Sequence, residues 1–271
     1  MTNKNKPLDG WLFASDIDNT LVSNGHINSR SIEAIQRFAS LGGRVTLASG
    51  RIAASAIDVA KAIGVNCPII ASNGAIIYDT ETGSVLESMV LPEHSKPFAH
   101  DILKKFDRLG ALAYCETEVL LIKENQTILN LIEYENLTVI KSDNPDSIPW
   151  SKIIFGAEPE YVDGVEQKYN IITDYGNFIR SMDKFYELMP HGVNKGAALL
   201  KLAGKLDIDR SKICAVGDYY NDVEFVRNAA YGAFVENAPD ELKQTAYFVG
   251  GNCSDGGVAD FIEHIIDIAT K

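Results

Sequence analysis

The 271 residues exceed the usual size of one domain, and an apolar share of 46% is ample for a packed core, so one large or two ordinary domains are expected. A formal net charge of -12 argues against a nucleic-acid or anionic-membrane surface, since both need a positive footprint, and points to a small or metal-bound partner. Nowhere do about 18 consecutive apolar residues occur, and no apolar run follows the lysines of MTNKNKPLDG, so a soluble, unsecreted, cytoplasmic protein is expected.

The apolar run WLF leads into ASDIDNTL (14–21), which sets Asp16 and Asp18 one residue apart at the end of a buried strand. Ionised carboxylates repel each other and are costly to bury, so the pair needs a cation or a chemical task. An asx-rich turn would be a plainer reading. So would a calcium loop of the EF-hand kind, but that requires Gly at its sixth position and Glu at its twelfth, where this chain has Leu21 and Ile27.

Next, NSRSIEAIQRFASLGG places Ile32, Ile35, Phe38 and Leu41 on one face and stops at Gly42 and Gly43, the pattern of an amphipathic helix. RVTLAS (44–49) reads as a buried strand running into ASGR, with Ser49, Gly50 and Arg51. A helix of roughly a dozen residues, the strand PIIAS (68–72) and a hairpin around TETG follow. This alternation implies a parallel sheet.

Near LPEH (91–94) the pattern changes. Helical stretches around 95–109, 125–136 and 159–169 mix with the strands ALAYC, EVLLI, LTVI and KIIF, which reads as a separate α+β unit. Alternation resumes with a helix over 194–206, the strand KICAV, the helix NDVEFVRNA, the strand GAFVE, the helix PDELKQTA and YFVG. The expected fold is therefore α/β: a doubly wound, mainly parallel Rossmann-like core sheet from residues 1–90 and 188–271, interrupted by an inserted α+β domain over 91–187. Cys67, Cys115, Cys214 and Cys253 show no CxxC spacing and read as reduced thiols. The five histidines lack ligand spacing, so no zinc site is expected. Trp11 and Trp150 read as packing residues; Tyr219 and Tyr220 could line a pocket or pack on the core, and read as packing first.

Ligands of open α/β sheets bind at the carboxyl ends of the strands. Here those ends carry Asp16 and Asp18, then Ser49 and Arg51, then Asp218, Asn221 and Asp222 of GDYYND, while Lys195 opens the helix before the last strand. Each has a bland explanation. Ser49 suits a turn, Lys195 a solvated helix, Asn221 or Asp222 a helix cap, and Asn73-Gly74 a tight turn. Arg51 could touch a ligand or solvent. Taken together they match phosphoryl transfer through an aspartyl phosphate. A carboxylate attacks phosphorus only once the phosphate charge is neutralised, which calls for a hard cation and an ammonium. A hydroxyl and backbone N–H groups would hold the phosphoryl oxygens, and a second carboxylate would move protons. One aspartate of the pair would attack and its neighbour would act as acid and base.

In this combination the sequence resembles the haloacid dehalogenase superfamily, and more closely its Cof-type sugar-phosphate phosphatase branch. SDIDNTL, TLASGR, ASNGA, GVNKGAAL, GDYYNDVEF and DGGVADFI carry the resemblance, in the family's order and over nearly the whole chain. It implies that Asp16 is the nucleophile and Asp18 the general acid and base, with Ser49 and Lys195 on the phosphoryl group. It also implies Mg²⁺ held by Asp16, the Asp18 backbone carbonyl and Asp218, with Asn221 and Asp222 supporting the metal and Lys195. Gly50, Arg51 and Asn73 would join the substrate surface. Members acting on non-phosphate substrates tend to lack the second aspartate, so Asp18 favours phosphate esters. From Asp16 to Ser49 is 33 residues, too few for an inserted domain, whereas Ser49 to Lys195 is 146, which places the cap at 91–187. Asn19 stands where the family's DxDGT has Gly, and Asn tolerates the left-handed backbone such a turn needs.

The resulting expectation is a Mg²⁺-dependent phosphatase of small phosphorylated metabolites, such as sugar phosphates or phosphorylated cofactors. A phosphomutase or phosphotransferase would use the same core. A receiver-like phospho-accepting protein, or a binding module without turnover, would also be compatible with it. Oligomeric state is left open.

Overall fold

The computed structural model describes residues 6–169 and 172–271, so the first five residues of the lysine-bearing N-terminal stretch lie outside it. The chain begins with β1 (Leu12–Ser15), the small hairpin of β2 (Val22–Ser23) and β3 (His26–Ile27), α1 (Ser29–Ser40), β4 (Arg44–Leu47), α2 (Ala53–Ile63), β5 (Ile69–Ala71), β6 (Ile76–Asp79) and β7 (Ser84–Ser88). It continues with α3 (Ser95–Lys105), β8 (Gly110–Tyr114), β9 (Val119–Lys123), α4 (Gln126–Tyr134), β10 (Val139–Ile140), β11 (Lys152–Gly156), α5 (Pro159–Lys168), β12 (Ile172–Thr173), β13 (Gly176–Met182) and β14 (Phe185–Met189). The last part comprises α6 (Lys195–Lys205), β15 (Ile213–Gly217), α7 (Val223–Asn228), β16 (Tyr231–Phe234), α8 (Asp240–Lys243), β17 (Phe248–Val249) and α9 (Gly257–Ala269).

β1 is buried at all four positions, as a central parallel strand covered on both faces must be. It pairs in parallel with β4 on one side and β15 on the other, in a sheet ordered β17-β16-β15-β1-β4. The chain thus builds outward from β1 in one direction, then returns to build in the other. The carboxyl end of β1 is the switch point where such sheets open a crevice. β5 lies beyond β4, joined by a parallel bridge from Ala48 to Ile70, and then turns into an antiparallel ribbon with β6 and β7. α1 starts where the Asn28 side chain accepts the Arg30 amide, and it buries Ala34, Ile35 and Phe38.

The second large sheet is ordered β10-β9-β8-β11-β14-β13-β12 and is antiparallel except where β10 meets β9. The α/β class with an inserted α+β layer is therefore as the sequence predicts. Three strands within that layer, β12, β13 and β14, have no counterpart among the predicted elements. NFIRSM and FYELM interleave Asn177, Arg180 and Glu187 with apolar residues, which blurs the strand pattern. DGGVADFI stands out in the sequence as a motif alone, yet it opens α9, which buries Phe261, Ile262, Ile265 and Ile266 in the same core as α1.

Period-two alternation decides what the second sheet shows to the first. Ala111, Ala113, Ile153, Phe155, Tyr186 and Leu188 join Ile102, Val162 and Val165 of α3 and α5 in one core. The intervening Leu112, Tyr114, Ile154 and Phe185 face the other way, where they pack with Ile128 and Leu131 of α4 and with Ile52 from the first unit. Lys152 and Glu187 share that face by register. Trp150 is fully buried and Trp11 stacks on Tyr231 with ring centroids 5.5 Å apart, so both are packing residues. The four cysteines form no disulfide, and among the described residues no helix is long and apolar enough to cross a membrane.

Candidate active site

The loop leaving β1 is fixed before any ligand arrives. Asp16 donates its amide to the Val216 carbonyl at 2.9 Å, and Asn19 takes the left-handed conformation, φ 59°, that its glycine-like position requires. Asp16 then meets Lys195, the first residue of α6, whose Nζ donates to Asp16 Oδ1 at 2.6 Å and to Asp222 Oδ1 at 2.7 Å. The other Asp222 oxygen accepts the amides of Asp218 and Tyr219 at 3.0 and 3.3 Å. Asp222 therefore closes the loop after β15 and aims Lys195. This needs Gly217, because a Cβ there would lie 2.4 Å from the Asp222 carboxyl carbon. Asp218 Oδ1 accepts from the buried Thr20 hydroxyl at 2.8 Å, and Asn221 donates to Asn73 Oδ1 at 3.2 Å.

Asp18 is held from three directions. Arg51 grips it with Nε at 2.9 Å and a terminal nitrogen at 2.6 Å, and the Tyr134 hydroxyl adds a third bond at 2.9 Å. Arg51 does not point into solvent: it is 8% exposed and lines the cavity over Asp16. Ser49 is buried and its hydroxyl accepts the Arg51 amide at 3.2 Å; no hydrogen bond joins it to Asp16 or Lys195 among the described residues. Gly50 lines the same cavity. Asn73-Gly74 does form the turn between β5 and β6, and Gly74, at φ 98°, passes so close to α6 that a Cβ would sit 2.4 Å from the Asn194 carbonyl oxygen. The Asn73 side chain is buried and donates to Glu187 at 2.9 Å. Tyr219 and Tyr220 correct the expectation of core packing. The short turn over Tyr220–Asp222 sends Asp222 inward and the two rings outward, so Tyr220 is 42% exposed and Tyr219 reaches Asp183.

Charge is unbalanced at this point. Burial lifts the Asp16 carboxyl to about 7; Lys195 opposes the rise, while Asp222 and Asp18 add to it. Burial also raises Asp218 well above the ordinary carboxylate range, with Asp16 and Asp222 contributing. Burial alone would depress the Lys195 ammonium, but Asp16 and Asp222 more than offset this and hold it above its usual value. Asp16, Asp218 and Asp222 can bring one carboxylate oxygen each within 4.8 Å of one another. Three carboxylates served by one ammonium are short of positive charge, and an all-oxygen set suits a hard divalent cation. The residues present therefore fit Mg²⁺.

The face opposite is not legible as a site in the sequence. Lys152 of β11 is fully buried and donates to Glu187 at 2.8 Å and to the Gly50 carbonyl at 2.8 Å. Tyr134 ends α4, and Glu135 follows it into the cavity. A lysine and a glutamate inside otherwise apolar buried strands, KIIF and FYELM, are the signal that could have found it.

Glu135 supplies a stability test. Burial, with Asp18 adding to it, lifts its carboxyl from 4.5 to about 7. Between those values the folded protein keeps a proton that the unfolded chain has lost, so this group lowers stability as pH rises through the window. Glu135→Gln is expected to match wild type near pH 4.5 and to exceed it by about 3 kcal/mol at pH 8. Urea unfolding at both pH values checks this, and a pH-independent difference would refute it.

A charged crevice at the switch point of a parallel sheet, faced by a second and largely antiparallel sheet, defines a Rossmann-like α/β protein with a buried polar site. Residues 13–262 match the family described as haloacid dehalogenase-like hydrolase, and the chain belongs to that family, in its Cof-type branch. It is 28% identical to the 5-amino-6-(5-phospho-D-ribitylamino)uracil phosphatase of Bacillus subtilis (strain 168), over 94% of this chain and 97% of that protein. It is 27% identical to the HMP-PP phosphatase of Yersinia pseudotuberculosis, over 93% of this chain and 94% of that one. Among solved structures, a haloacid dehalogenase-like hydrolase from Bacteroides thetaiotaomicron superposes with a TM-score of 0.82 at 25% identity, covering 94% of this chain and 99% of that chain.

Proposed function

We propose that the protein is a Mg²⁺-dependent phosphatase that hydrolyses small phosphorylated metabolites through an aspartyl phosphate on Asp16. The observation that carries this reading is the buried contact between Lys195 and Asp16, set among carboxylates that lack a second cation. Relatives named as phosphatases along nearly the whole chain support it.

In this reading Asp16 attacks phosphorus through its oxygen not bound to Lys195, and Lys195 and Ser49 hold the phosphoryl oxygens. Mg²⁺ would be held by Asp16, the Asp18 backbone carbonyl and Asp218, supported by Asn221 and Asp222, and supplies positive charge against the phosphoryl oxygens. Asp18 gives a proton to the leaving oxygen and later takes one from water. With three hydrogen bonds donated to it, Asp18 is set here as an acceptor, the form that takes the proton from water. Acting as an acid requires Arg51 and Tyr134 to release it. Gly50, Arg51 and Asn73 complete the substrate surface, Asn73 by carrying Glu187.

We assign residues 91–187 to a cap and 1–90 with 188–271 to the core. Lys152 bonding Gly50, and Tyr134 bonding Asp18, then become contacts made on closure, which exclude bulky substrates and stray water. Release of phosphate from a panel of sugar phosphates, phosphorylated cofactors and p-nitrophenyl phosphate is expected with Mg²⁺ and is expected to fall to background with a chelator. Release that ignores the chelator defeats the metal assignment. A phosphoryl group that moves to a second substrate without free phosphate would make the protein a phosphotransferase.

A further inference from the structure

Over Asp16 and Asp18 the cap closes a cavity of about 40 Å³. Its charged groups are not equivalent. Lys152 is engaged by Glu187 and the Gly50 carbonyl, and its Nζ lies 4.4 Å from the centre of the Tyr114 ring. Glu187 also accepts from Asn73, and Arg51 is held by Asp18. Glu135 stands apart. It is only 9% exposed and forms no ion pair among the described residues. The one hydrogen bond to its carboxyl among the described residues comes from the Tyr114 hydroxyl to Oε2 at 3.4 Å, at the weak limit for such a bond. Oε1 accepts no hydrogen bond among the described residues, and the residue lines the cavity.

A phosphoryl group seated on Asp16 and Lys195 directs its leaving group toward this wall. There Asp18, Glu135 and Glu187 face two cations, Lys152 and Arg51, both already paired. A second anion on the leaving group would meet an unmatched carboxylate where water screens little. A hydroxyl or ammonium would find an acceptor waiting, and a buried polar group left without its partner penalises any substrate that cannot supply one.

On the basis of the phosphatase reading, we propose that Glu135 is a specificity-determining residue: it accepts a hydrogen bond from a hydroxyl or ammonium of a neutral or cationic leaving group, and it rejects leaving groups that carry a second anion.

The test compares substrates that differ only in an alcohol against a carboxylate, glycerol 3-phosphate with 3-phosphoglycerate and ribitol 5-phosphate with ribonate 5-phosphate, using the full chain with Mg²⁺ at pH 8, where Glu135 is ionised. In wild type, kcat/KM should favour the alcohol by at least about tenfold in one pair or both. Glu135→Gln should narrow that ratio to within about threefold, mainly by raising kcat/KM for the acid, and Glu135→Asp, which keeps the charge, should retain it. No preference in wild type, or an unchanged ratio in the Gln variant, overturns the proposal. If p-nitrophenyl phosphate and every other substrate release nothing, the phosphatase reading fails and this inference falls with it; turnover without discrimination defeats this inference alone.

Discussion

Asp16→Asn is expected to lower phosphate release by about 10⁴-fold or more, because a neutral amide cannot replace a carboxylate that must bond to phosphorus and leave it again. Nothing nearby takes over. Asp222 has both oxygens committed, one to Lys195 and one to the amides of its own loop, and Asp218 is held by Thr20. Asp18→Asn belongs in the same experiment and should cost less, about 10²- to 10⁴-fold, since it removes proton transfer but leaves the attacking group. Single-turnover release at saturating substrate and Mg²⁺ separates the two. A variant lacking Asp16 that retained a tenth of wild-type release would sink the aspartyl-phosphate mechanism.

Much of the site on the parallel sheet is legible in the sequence because its carboxylates and Ser49 follow the ends of strands whose apolar runs announce them, while Lys195 opens α6. WLFAS, RVTLAS and KICAV place Asp16, Ser49 and Asp218 at one edge of the sheet, and a parallel sheet brings such edges together without further information. Even the departure at Asn19 is readable, since only a few side chains accept the φ of 59° found there.

The half of the site on the second sheet is not legible in the same way, for a physical reason. Lys152, Glu187 and Glu135 reach the site by strand alternation and by the end of a helix, from a mixed sheet whose order, β8-β11-β14, no local pattern encodes. Glu187 also weakens the apolar signal of its own strand, so β14 stays hidden, whereas β11 and α4 are legible as elements but not in where they lie. Thr20 escapes notice differently. It falls within DIDNTL, but its partner Asp218 lies 198 residues away, and only the pairing of β1 with β15 brings the two together.

Lys195→Met should be the most destabilising of the site substitutions, by about 3–5 kcal/mol at pH 8 in the presence of chelator. Methionine fills nearly the same space, so the loss is electrostatic. Lys195 is 1% exposed and is the ammonium between Asp16 and Asp222; without it two buried carboxylates face each other and Asp218 with no counter-charge. The sign with pH follows from Asp16, whose carboxyl already stands at about 7 with the ammonium opposing that rise. Removing the ammonium raises it further above the unfolded value of 3.8. The folded variant then holds protons that the unfolded chain has released, and its stability falls as pH climbs from about 4 through the raised value. Urea unfolding should therefore show a defect that is largest at pH 8 and shrinks toward pH 5. Asp222→Asn added to the variant should recover part of the loss, because one of the stranded charges is gone. A deficit that is equal at pH 5 and pH 8, or a double variant worse than the single, would mean that the carboxylates around Lys195 are not held ionised, and the charge argument for both the metal and the nucleophile would fail together.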